Sequence, residues 1–142
     1  YEETQNGYFK IYFVKNKKYI AITAEKSMEA TELTKAQDIV FSKIKENVKD
    51  FTYINNLEIE QEKTEKINEI EMYRYEGTLI CGRTVKFNTY VVGYTFIIDK
   101  IPCNITGVVT EKEQNEESIQ EIKSLVDEMA RTVRNTKDNI MD

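Results

Sequence analysis

The least charged stretch of the chain runs from Tyr90 to Thr110, YVVGYTFIIDKIPCNITGVVT, and its pattern predicts two β-strands joined by a tight turn at Asp99-Lys100. On the first arm Tyr90, Val92, Tyr94, Phe96 and Ile98 share one face and Val91, Gly93, Thr95 and Ile97 the other. Both faces are apolar enough to be covered, as in a strand at the centre of a sheet. On the second arm Ile101, Cys103, Ile105, Gly107 and Val109 alternate with Pro102, Asn104, Thr106 and Val108. This period of two predicts a strand with one drier side.

The rest of the chain supplies elements to surround this hairpin. Tyr8 to Val14 and Tyr19 to Ala24 alternate as two strands around a polar turn at Lys15-Asn16-Lys17-Lys18. Thr34 stands three residues before Gln37, the spacing of a capping box, so a helix is expected from Lys35. Ala36, Ile39, Val40, Ile44 and Val48 then form one apolar face, which runs out near Lys49, with Phe51 tucked under its end. Leu57 and Ile59 alternate with Glu58, Glu60 and Glu62, predicting an amphipathic strand with an acidic outer face, followed by a turn over Thr64 to Asn68. Ile70 to Cys81 returns as a longer strand in which Gly77 marks a bulge or close approach, and Gly82-Arg83 turns the chain. Thr84 to Thr89 reads as a short polar strand or loop.

After the central hairpin an acidic loop, EKEQNEE, ends in Asn115, a good N-cap, with Glu116 and Glu117 where the helix dipole favours negative charge. Ile119, Ile122, Leu125, Val126, Met129, Ala130 and Val133 form the apolar stripe of a closing helix. The order β-β-α-β-β-β-β-α, with short turns between strands, predicts an α+β fold: a central antiparallel sheet of about five to six strands with helices packed on it. Residues 1–7 read as a polar N-terminal linker, 8–135 as a single domain and 136–142 as a frayed C-terminal tail.

At 142 residues the chain has the length of one domain. A formal charge of −5 lacks the basic footprint of a nucleic-acid binder. Nor is there an apolar run near the roughly 20 residues that span a bilayer. The chain holds no histidine, which removes Ser-His-Asp and Cys-His catalysis and histidine metal sites. Cys81 and Cys103 are read as two free, buried thiols rather than a bridge, and neither a metal nor another cofactor is expected. Glu58, Glu60, Glu62, Glu69 and Glu71 have a spacing that a carboxylate acid–base pair could use, although alternating glutamates also make a solvated face.

Nine tyrosines exceed what a core of this size requires. Tyr73, Tyr75, Tyr90 and Tyr94 fall on adjacent predicted strands and are the candidate binding residues, because tyrosine offers contact area at low rotamer cost with a polar tip. Amphipathic core positions whose hydroxyls reach the sheet edge are the competing reading.

The hairpin YFKIYFVKNKKYIAIT, the helix start LTKAQ, the strand INEIEMYRYEGTL, the hairpin FIIDKIPCNITGVV and the helix ESIQEIKSLVDEMARTV, in this order, resemble the PsbP-like superfamily, which includes DcrB-like bacterial lipoproteins. The resemblance spans Tyr8 to Arg134. It implies an antiparallel sheet with helices on both sides and an extracytoplasmic protein, held at the membrane only through an N-terminal anchor upstream of Tyr1. It brings no active-site motif. The expected function is therefore a non-enzymatic binding or accessory domain of a bacterial cell-envelope protein, with an unknown protein or small-molecule partner and no nucleic acid. A small carboxylate-dependent hydrolase or transferase is the alternative.

Overall fold

The fold is organised by one antiparallel sheet, described here from a computed structural model covering residues 2–4, 7–14, 18–25, 29–47, 54–81, 87–109 and 115–134. Its strands are β1 (Glu2–Thr4), β2 (Gly7–Val14), β3 (Lys18–Glu25), β4 (Ile54–Ile67), β5 (Ile70–Cys81), β6 (Phe87–Ile98) and β7 (Ile101–Val109), and its helices are α1 (Leu33–Asn47) and α2 (Glu116–Arg131). The spatial order is β1-β2-β3-β7-β6-β5-β4, so the apolar hairpin β6–β7 lies inside the sheet, as its two-sided pattern predicts.

The α+β class with an antiparallel sheet and packed helices is as expected, and seven strands are described where about five to six were expected. The added one is β1, where a linker was expected: Glu2, Glu3 and Thr4 pair with Phe9, Tyr8 and Gly7. Three residues are too few for alternation to be readable. Two hairpins close through two-residue turns, Asn68-Glu69 and Asp99-Lys100, in which all four residues have positive φ, between 51° and 68°. This is the turn whose twist matches that of the flanking strands. The second turn stands where the sequence placed it. The first comes later than the expected Thr64 to Asn68, because β4 continues through Thr64 and Ile67 pairs with Ile70.

The helices lie on opposite faces. α2 sets Ile122, Val126 and Ala130 against Val92, Tyr94, Phe96, Cys103, Ile105 and Val109. On the other face α1 brings Ala36 and Ile39 into a smaller cluster with Ala30, against which Ile97 packs. β7 is consequently buried along both sides, including Asn104 and Thr106, instead of having one drier side.

Local signals succeed at α2, where the Asn115 side chain accepts a hydrogen bond from the Ser118 amide at 2.8 Å. At α1 the capping-box reading fails. The helix starts at Leu33 and the Ala36 amide donates to the Glu32 carbonyl at 3.0 Å, so Thr34 lies inside the first turn. The Lys15 to Lys17 turn, the helix end near Lys49, Phe51, the Gly82-Arg83 turn, the loop before Asn115 and the tail from Thr136 lie outside the described residues.

Candidate functional site

Cross-strand register decides where the four candidate tyrosines go. Tyr73 is opposite Thr95 and Tyr75 opposite Gly93, whereas Tyr94 is opposite Arg74 and Tyr90 opposite Thr78. The first pair therefore faces the α1 side and the second the α2 side. They do not form one aromatic surface. Tyr75, Tyr90 and Tyr94 are buried, and only Tyr73 is half-buried.

On the α1 side Tyr75 lies over Gly93, where a Cβ would stand 2.4 Å from its hydroxyl oxygen. This close approach lets the ring lie flat on the sheet. The Tyr75 hydroxyl donates to Asn104 Oδ1 at 2.9 Å and shares a 2.7 Å bond with Thr106 Oγ1. Thr95 Oγ1 also donates to Asn104 Oδ1, at 3.1 Å, and Asn104 Nδ2 donates to Thr106 Oγ1. Burial pushes the Tyr75 phenol well up, against the opposing effect of its bonds to Thr106 and Asn104. Tyr73 stacks on Tyr75 with ring centroids 5.8 Å apart and donates to Glu62 Oε2 at 2.6 Å. Partial burial and that carboxylate raise its phenol to about 12.

On the α2 side the polar cluster bridges sheet and helix. Tyr90 donates to Glu76 Oε1 at 2.6 Å and Tyr94 to Asp127 Oδ1 at 2.6 Å. Arg74 sits between the two carboxylates, 3.2 Å from Asp127 Oδ1 and 3.5 Å from Glu76 Oε2, with its guanidinium 5.8 Å from the Tyr94 ring centroid. Lys123 reaches Glu76 Oε1 at 3.2 Å. Burial opposes the Glu76 charge, but the Tyr90 bond, Lys123 and Arg74 outweigh it and hold the carboxyl below its usual range. Burial, then the neighbouring carboxylates, raise both phenols. Two cations and two anions balance here, so the arrangement locks α2 to β5 and β6.

The predicted carboxylate row does not converge. A β-bulge in β4 between Ile59 and Gln61 shifts the alternation, leaving Glu58 opposite Thr78 on the α2 side and Glu62 opposite Tyr75 on the α1 side. Glu71 faces Lys66. Ile59, expected on a dry face, is 37% exposed. Gly77 is the expected close approach, since a Cβ there would stand 2.0 Å from the Glu58 carbonyl oxygen. Cys103 is a free, buried thiol raised to about 12 by burial. Among the described residues no group of His, Cys, Asp and Glu could hold a metal ion.

A concave surface lies elsewhere, at the end of the sheet where the two tight turns meet the start of α1. The cleft measures about 340 Å³ and is lined by Thr31, Leu33, Glu69, Ile70, Glu71, Ile97, Ile98 and Asp99. The Ala30 amide, donating to the Lys100 carbonyl at 2.9 Å, ties the α1 approach to the β6–β7 turn and fixes one wall. Among the described residues its lining combines aliphatic side chains with the carboxylates of Glu69, Glu71 and Asp99. Sequence reasoning did not find it, because its walls come from segments remote along the chain.

No protein-family model matches the chain, and no curated protein does. Among solved structures it is similar to PA94 of Pseudomonas aeruginosa, a protein of unknown function, with a TM-score of 0.61 and 7% identity over 92% of this chain and 84% of that one. At that identity the likeness establishes a shared α+β architecture and nothing finer.

Proposed function

We propose that the chain is a non-enzymatic binding or accessory module of the bacterial cell envelope, and that its binding surface is the cleft between the start of α1 and the two hairpin turns. The observation that carries this reading is the cleft itself. Its volume is at the small end of the roughly 300–1,000 Å³ typical of ligand sites. The carboxylates of Glu69 and Glu71 beside Leu33, Ile70, Ile97 and Ile98 suit a cationic group on an apolar stem, such as a lysine or arginine side chain of a partner protein. The envelope location rests on the PsbP-like order of elements.

Titration of isotopically labelled protein with a short lysine-containing peptide tests the cleft. Resonances of Leu33, Glu71 and Ile97 are expected to shift, and Glu71→Lys to abolish the effect. Shifts spread over the surface, or unchanged by Glu71→Lys, contradict it, as does turnover of any substrate by the purified protein. Fractionation of the full-length gene product tests the location: recovery in the cytosol contradicts it.

A further inference from the structure

β4 is a sheet edge: no described element pairs with its outer side, and Glu62, Lys63, Thr64 and Lys66 are exposed. A two-residue turn with positive φ at both positions makes Ile67 and Ile70 a hydrogen-bonded pair. Ile67, Glu65 and Lys63 therefore direct their backbone groups towards β5, and Lys66, Thr64 and Glu62 direct theirs outward.

An edge carrying charge usually resists pairing with a second copy of itself. Here the outcome depends on register. A two-fold axis through Glu62, Lys63, Glu65 or Lys66 sets a charge directly against its own copy. An axis through Gln61 sets Glu60 against Glu62. An axis between residues would oppose outward-directed with inward-directed backbone groups. Among the axes from Gln61 to Lys66, only that through Thr64 avoids all of these conflicts. It sets Glu62 against Lys66 and Lys63 against Glu65, each twice, with Thr64 on itself and Gln61 against Ile67. Within one chain Lys63 lies 2.7 Å from Glu65 Oε2, so the two opposite charges stand on the same face of the edge.

We infer that the chain forms a two-fold dimer by antiparallel pairing of β4 with β4 of a second copy, centred on Thr64, which continues the sheet across both molecules. The opposite charges fix the register and disfavour its alternatives. The dimer uses the outer edge of β4 and none of the described residues that line the cleft, so it stands apart from the binding reading above.

Light scattering across a concentration series is expected to approach twice the 16.7 kDa chain mass. Glu62→Lys and Lys66→Glu each change two symmetry-related pairs and should weaken association about tenfold. The double variant Glu62→Lys/Lys66→Glu restores complementarity and should restore the dimer. Under mild oxidation Thr64→Cys should cross-link to itself, because a hydrogen-bonded antiparallel pair separates Cα atoms by about 5.5 Å, inside the disulfide range. Glu60→Cys should not. A monomer at all concentrations, a dimer indifferent to both single reversals, or failure of Thr64→Cys to cross-link overturns the inference; circular dichroism confirms that each variant is folded.

Discussion

Single polar groups beneath the two helices carry opposite consequences for stability. Glu76 is charged and served by Tyr90, Lys123 and Arg74, and its folded-state pKa is depressed. Its contribution is therefore present above the unfolded carboxylate value, about 4.3, and is lost as pH falls through the lower folded value. Denaturant unfolding should show wild-type stability falling between pH 7 and pH 3, and Glu76→Gln falling less over the same range. Equal slopes would contradict the assignment. The buried Thr23 hydroxyl, by contrast, has no hydrogen-bond partner among the described residues. Thr23→Val keeps the shape and removes the orphan, so an increase of about 1 kcal/mol in unfolding free energy is expected, against a loss if the hydroxyl is bonded. Neither environment is visible in sequence, because Glu76 reads as one more exposed glutamate and Thr23 as one more strand threonine.

Elements were legible where their determinants are local. Asn115 caps α2 from three residues away, and Asp99-Lys100 turns between two apolar runs. Register was not legible. The spacing of Tyr73 and Tyr75, or of Tyr90 and Tyr94, gives a common face within one strand, yet pairing Met72 with Phe96 puts the two pairs on opposite sides. One bulge likewise undid the alternation of Glu58, Glu60 and Glu62. Two element-scale predictions follow from contacts of this kind. Gly107 lies where α2 touches β7, and a Cβ there would stand 2.6 Å from Val126 Cγ2 and 2.8 Å from Ile122 Cγ1. Gly107→Ala should destabilise by about 1–3 kcal/mol, as overpacking does, measured by thermal or urea unfolding. Lys100 holds φ at 68°, where glycine is relaxed, so Lys100→Gly should instead stabilise, by up to about 1 kcal/mol.

At the scale of the molecule, the two helices pack on β6 and β7 from opposite faces, and a tyrosine-centred polar cluster lies on each face of the sheet. The β4–β5 hairpin forms one side of the sheet, with an outer edge on β4 that no described element pairs with. This arrangement makes Tyr75, Tyr90 and Tyr94 internal ties, and the proposed binding surfaces, the cleft and the β4 edge, lie apart from them. Nitration with tetranitromethane, mapped by mass spectrometry, tests that division most directly by comparing rates in the folded and urea-unfolded protein. Tyr73 should react in the folded state while Tyr75, Tyr90 and Tyr94 react only on unfolding. Modification of any of those three at the rate of Tyr73 in the folded protein would contradict it.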